Sequence, residues 1–140
     1  MEKLLVYTDG SSKGNGAPNS KCGWAYKIMH SDETVIEKNS GGDIGKNNNR
    51  MEMFAVLKAL QAISDKSVYI ELYSDSNNVI ETLKGNYQKN KNLDLWKELE
   101  QEKSKFSNIH FIWVKAHEKN KHNNEVDKMA QAEAERIIIE

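Results

Sequence analysis

Four acidic residues in this 140-residue chain stand where carboxylates can do chemistry. Asp9 follows Leu4-Leu5-Val6-Tyr7, an apolar run without alternation, the mark of a strand buried on both faces. Gly10 then breaks that strand, leaving the carboxylate at its carboxyl edge, where open α/β sheets place their ligands. Glu52 opens a helix over residues 50–64, and its face-mates Ala55, Val56, Ala59 and Ile63 are all apolar. Its carboxylate therefore points inward from the first turn. The helix N-terminus favours an acid by only ~0.3–1 kcal/mol, against a burial cost of roughly several kcal/mol for an unpaired charge. Arg50 lies on a nearly opposite face, so a cation from elsewhere is the better partner. Asp75 sits between a strand over 68–73 and a helix over 75–84, and Asp127 in the first turn of a helix starting near Asn124.

Each acid also has an ordinary duty open to it. Asp9-Gly10 is a hairpin-turn dipeptide, although the next strand begins only near Cys22. Glu52 could be a partly exposed first-turn acid, Asp75 an N-cap, and Asp127 the acid of a capping box with Asn124. If the first and fourth strands are parallel neighbours, however, Asp9 and Asp75 end side by side and repel unless a cation intervenes. Four acids meeting at one sheet edge make a hard oxygen set suited to Mg²⁺ or Mn²⁺.

The elements that must position them follow from the pattern. Strands over 23–29 and 34–38 flank His30-Ser31-Asp32-Glu33, so the first three strands read as an antiparallel meander. Gly41-Gly42 opens a polar loop through Asn49. Met53, Val56, Leu57, Leu60 and Ile63 give the first helix its apolar stripe, and a crossover leads to the fourth strand. Residues 85–92 are polar and basic, residues 93–106 read as a third helix and 109–114 as a fifth strand. His117 and His122 lie in the loop that follows, with His122 read as a surface residue. Gly14 and Gly16 do not make a nucleotide loop, because Asn19 stands at the third glycine and a strand follows.

Composition narrows the class. With 38% hydrophobic and 29% charged residues the chain reads as one globular domain over 1–140. A single cysteine, Cys22, excludes an internal disulfide and fits a reducing compartment. No run approaches the ~20 apolar residues of a membrane span, and no signal-peptide pattern is present, so the expected location is cytoplasmic. The net charge of −1 requires any nucleic-acid surface to be local.

Taken together, these residues resemble type 1 ribonuclease H along essentially the whole chain. The resemblance is carried by Tyr7-Thr8-Asp9-Gly10-Ser11, Asn48-Asn49-Arg50-Met51-Glu52, Ser74-Asp75-Ser76, Trp113-Val114-Lys115 with His117, and Asn123 ahead of Asp127. It implies an α/β fold, a five-stranded mixed sheet ordered 3-2-1-4-5 and flanked by helices. It implies endonucleolytic hydrolysis of the RNA strand of RNA–DNA hybrids, giving 5′-phosphate and 3′-hydroxyl ends. Asp9, Glu52, Asp75 and Asp127 would be ligands of two Mg²⁺ ions, with Mn²⁺ a possible substitute, and no protein nucleophile is needed. His117 would shuttle protons or ease product release, and is otherwise an ordinary loop histidine. Gly10, Ser11, Asn15, Asn48, Asn49 and Asn77 match positions that contact the hybrid, where amides suit recognition of the 2′-hydroxyl. The expected partner is RNA–DNA hybrid, with no membrane and no obligatory protein partner, and the chain is expected to be a monomer. Another metal-dependent nuclease of the same fold, or a non-catalytic hybrid-binding module, are the competing expectations.

The chain departs from the family's well-known bacterial pattern in two places. The long basic protrusion before the third helix is cut to residues 85–92, leaving Lys84, Lys89 and Lys91, and Ala116 replaces a glycine before His117. With so few lysines, hybrid binding is expected to be weak and salt-sensitive, and a titration finding nanomolar affinity at about 0.2 M salt would contradict that.

Overall fold

The computed structural model describes residues 2–116 and 120–138. Residues 4–7 form the middle of the sheet. Their strand, β1 (Lys3–Lys13), pairs antiparallel with β2 (Lys21–His30) and parallel with a later strand, β4 (Tyr69–Ser74). β3 (Val35–Ile44) adds antiparallel to β2, and β5 (Asn108–Trp113) adds parallel to β4. The resulting order is β3-β2-β1-β4-β5, as the family resemblance implies.

The helices divide between the two faces by strand alternation. Leu4, Val6, Tyr26, Ile28, Ile70 and Leu72 share one core with α1 (Asn48–Ala62), α2 (Asn77–Leu83) and α3 (Leu93–Lys103). Tyr7, Ala25 and Met29 turn the other way and pack on Val126 and Ala130 of α4 (Lys121–Arg136).

Two glycine readings are corrected. Gly10 does not end β1, which continues to Lys13 because residues 9–13 pair with β2. The glycine serves α1 instead: a Cβ there would lie 2.4 Å from Glu52 N and 2.4 Å from Met51 C. Gly41 and Gly42 lie inside β3 rather than opening a loop, because Gly41 pairs with Trp24 beneath its indole and a Cβ would meet that ring at 2.6 Å.

Three helix starts also shift, each for a capping reason. The Asn47 side chain accepts from Arg50 N, so α1 begins at Asn48 and Glu52 falls in its second turn, not its first. Ser76, not Asp75, caps α2 by accepting from Val79 N. Asn120 accepts from His122 N and Asn123 N, so α4 begins at Lys121 and Asp127 is well past the first turn. This earlier start carries His122 off the surface. Its side chain is 12% exposed, paired with Glu33 and 3.1 Å from Lys27 Nζ.

The close approach at Gly10 is a test of this packing. Gly10→Ala is expected to lose about 1–3 kcal/mol, as overpacking does. Urea unfolding that finds the variant as stable as the parent would refute the contact.

Candidate active site

At the carboxyl end of the parallel pair, oxygens of Asp9, Glu52 and Asp75 lie within 4.8 Å of one another. Asp9 is held in the sheet opposite Ala25 and is 2% exposed, so the hairpin-turn duty is ruled out. Glu52 reaches it from α1 because Gly10 lacks a side chain. The Gly10 N–H donates to Glu52 Oε1 at 3.1 Å, and Ser74 Oγ lies 3.5 Å from Oε2. Asp75 follows β4 directly and is relieved of capping by Ser76. Its carboxylate accepts from Asn123 Nδ2 at 3.4 Å, and its carbonyl accepts from Trp113 Nε1 at 3.2 Å.

Asp127 approaches from the opposite layer. It is outside the three-carboxylate group, and its influence on Asp9 adds, after burial and Glu52, to the upward shift of that carboxyl. Gln131, one helical turn on, donates its Nε2 to both Asp127 oxygens, 3.1 Å from each. His117 lies outside the described residues.

Crowding sets the charge state. Burial pushes the Asp9 carboxyl well above its usual range, and the charge of Glu52 adds to this. Glu52 is pushed up to about 8, first by burial. A hydrogen bond from Asp9 partly relieves it, while the charge of Asp75 opposes that relief. Without a cation, both carboxyls therefore hold their protons more tightly than free carboxyls do.

The residues fit a divalent cation. Their donors are hard oxygens, their mutual repulsion is what a cation removes, and Asn123 Oδ1 is a buried acceptor with no hydrogen-bond partner among the described residues. That amide was legible only as part of a motif. Ser74 and Trp113, which steady Glu52 and the Asp75 backbone, carried no separate signal of those roles.

Of the residues expected to touch substrate, Gly10 and Ser11 follow Asp9 in β1, Asn48 and Asn49 open the helix that carries Glu52, and Asn77 opens α2 two residues after Asp75. Asn15, in the left-handed region at φ 43°, accepts from Asn48 N at 2.9 Å, and Asn48 accepts from Ser12 N at 2.7 Å. These two amides thus tie the first hairpin to α1. Gly10 and Ser11 are partly exposed, and Asn77 is exposed, 3.4 Å from the Tyr87 hydroxyl. Asn49 lines a polar trough of about 440 Å³ with Asn15, Asn47, Lys91 and Asn92. Arg50 turns to α3, its guanidinium forked on Asp94 at 2.7 and 3.0 Å. Asn47 and Asn92 were not anticipated here, since a cap and a left-handed residue look alike in any polar loop.

The RNase H family model matches residues 1–135. The chain belongs to the RNase H family. It is 37% identical over 146 residues to a ribonuclease H of Helicobacter acinonychis, covering 99% of this chain and 97% of that one. It is 35% identical to a ribonuclease H of Clostridium botulinum, covering 93% and 94%. Among solved structures, the N-terminal RNase H domain of a Mycobacterium tuberculosis protein superposes with a TM-score of 0.84 at 22% identity, covering 96% and 95%. LC11-RNase H1, solved in complex with an RNA/DNA hybrid, superposes with a TM-score of 0.79 at 20% identity, covering 95% and 97%. The chain is thus an enzyme of the ribonuclease H family, and among its described residues no helix is long and apolar enough to cross a membrane.

The charge state of this RNase H site fixes a pH dependence. Glu52 has a folded pKa of about 8 against 4.5 for the free group, so its contribution is full below pH 4.5 and is lost as pH rises towards 8. Carboxylates shifted downwards, such as Glu102 and Glu125, act in the opposite sense only below that window. In EDTA the protein is expected to melt several degrees higher at pH 5 than at pH 8.5, each ~1 kcal/mol being worth roughly 3–6 °C at this size. Glu52→Gln should flatten that slope. Calorimetric scans showing equal slopes for the two proteins would remove Glu52 as its source.

Proposed function

We propose that this chain is an endoribonuclease that hydrolyses the RNA strand of RNA–DNA hybrids, leaving 5′-phosphate and 3′-hydroxyl ends. Residues 1–140 work as one RNase H unit in this reading. The observation that carries it is the meeting of Asp9, Glu52 and Asp75 within 4.8 Å at a sheet edge, with none of them occupied as a cap or turn. Asp9, Glu52, Asp75 and Asp127 would hold two divalent cations, Mg²⁺ or in its place Mn²⁺. When bound, such a pair activates a water and stabilises the leaving oxygen of an in-line phosphodiester displacement.

The chain's own residues supply placement and recognition. Gly10 N–H and Ser74 Oγ orient Glu52, and Asn123 orients Asp75. Gly10, Ser11, Asn15, Asn48, Asn49 and Asn77 would face the hybrid, where amides and backbone groups read 2′-hydroxyls and sugars. The trough carrying Asn49 and Lys91 would follow a phosphate backbone. His117 would move protons or assist product release. The hybrid bound to LC11-RNase H1 supports this choice of substrate. A non-catalytic module is disfavoured because all four acids are present.

One set of reactions tests the reading. Labelled RNA–DNA hybrid, RNA duplex and DNA duplex are incubated with Mg²⁺ or EDTA. Cleavage is expected only in the RNA strand of the hybrid and only with metal. Asp9→Asn should fall to background activity, because an amide is a poor ligand for two cations, yet melt higher than the parent in EDTA through lost repulsion. Mg²⁺ at about 100 times its Kd should stabilise the parent by ~2.7 kcal/mol and the variant much less. An active Asp9→Asn protein, or cutting of DNA duplex, ends this assignment.

A further inference from the structure

Asp127 is set apart from the other three acids by what holds it. The Gln131 Nε2 lies 3.1 Å from Oδ1 and 3.1 Å from Oδ2. One nitrogen equidistant from both oxygens sits on the bisector of the carboxylate, the place a cation takes when it binds both oxygens. The nitrogen must face Asp127, because the amide oxygen would repel it. The two residues are one turn apart on the same helix face, and Gln131 is exposed, so its side chain has room to swing away. The amide carries no charge of its own, so a divalent cation competes with a neutral donor rather than with an ion pair.

We propose that Gln131 is a positioning residue that tethers Asp127 and competes with a cation for it. The inference rests on the reading of Asp127 as a cation ligand. The hydrogen bonds to Glu52 and Asp75 come from Gly10, Ser74 and Asn123, and Gln131 is bonded to Asp127. A cation position that uses Asp127 requires Gln131 to swing away, and one built on Asp9, Glu52 and Asp75 does not, so on this proposal the first is the weaker.

Mg²⁺ titrations by calorimetry test this on the parent, Gln131→Leu, Asp127→Asn and the double variant. Leucine at an exposed helix position keeps the helix and removes the donor. Gln131→Leu is expected to tighten the weaker Mg²⁺ step about two-fold, the scale of an exposed Gln–Asp pair one turn apart. It should leave the tighter step unchanged and have no effect once Asp127 is Asn. In ¹⁵N spectra, the side-chain amide of Gln131, assigned by its absence in Gln131→Leu, should shift only over the weaker step. Weakened or unchanged Mg²⁺ binding in Gln131→Leu, or an amide unmoved at saturation, overturns the tether. If Asp127→Asn weakens Mg²⁺ binding while Gln131→Leu does nothing, the tether alone fails. If Asp127→Asn leaves Mg²⁺ binding unchanged, Asp127 is no ligand, and the four-ligand reading falls with the tether.

Discussion

The repulsion among Asp9, Glu52 and Asp75 is the constraint on which this structure turns. Two unit charges 4 Å apart repel by ~4 kcal/mol at an effective dielectric near 20. A sheet edge does not hold such a group unless each carboxylate is brought there by an element that cannot retreat. Asp9 is fixed by its pairing with Ala25 just past the parallel ladder to β4, and Asp75 by the end of β4 itself. Glu52 is fixed by α1, whose backbone presses onto β1 where Gly10 leaves no Cβ. Neutral residues do the capping next to each acid, with Asn47, Ser76 and Asn120 at the three helix starts. No carboxylate is diverted into stabilising a helix end.

The fourth acid depends on how α4 is seated across the other face. Gly23 lets α4 come close, since a Cβ there would lie 2.0 Å from Ala130 O. The buried Lys27 then meets Glu125 at 2.8 Å, and Lys38 reaches the other oxygen of the same carboxylate at 3.1 Å. Ser40 adds a bond to Glu133 at 3.0 Å. A buried ion pair is weak evidence of net stability, because desolvation offsets its attraction. Its consequence here is register: slipping α4 by one residue would strand the Lys27 charge. The helix is thereby pinned along β2 and β3, and Asp127 is pinned with it.

What could be read from the sequence was what repeats or what is chemically unusual. Apolar periodicity located α1 and α3, and an acid among Ala55, Val56 and Ala59 marked Glu52 as inward-facing. What misled was residues whose role comes from a distant partner. Gly10 looks like a strand breaker locally, and its contact with Met51 and Glu52 is visible only once the chain is folded. Gly41 and Gly42 look like a loop until Trp24 and Ile137 are placed over them. Three helix starts differ by two or three residues from the pattern because several polar residues in each loop could cap. The choice of Asn47 and Asn120 then moved Glu52 and Asp127 out of the first turns and carried His122 inward. The match of five motifs in order compensated for these local ambiguities, because it rests on spacing along the whole chain rather than on any one turn.

The same electrostatics ties the site to its substrate on the proposed reading. Without a cation, the edge brings the buried Asp9 and Glu52, whose carboxyls hold protons tightly, together with Asp75 and Asp127. That surface repels a polyanion, and the chain's net charge of −1 supplies no general attraction. Lys89 is partly engaged already, 3.4 Å from Glu100, whereas Lys91 lines the trough. Divalent cations would both displace tightly held protons and reverse the local sign of the edge. Cation loading and hybrid binding would then favour each other, reciprocally, as linkage requires. A chain with a shortened basic segment would depend on that coupling more than one with a long lysine-rich protrusion, because more of its attraction for phosphate comes from the site itself.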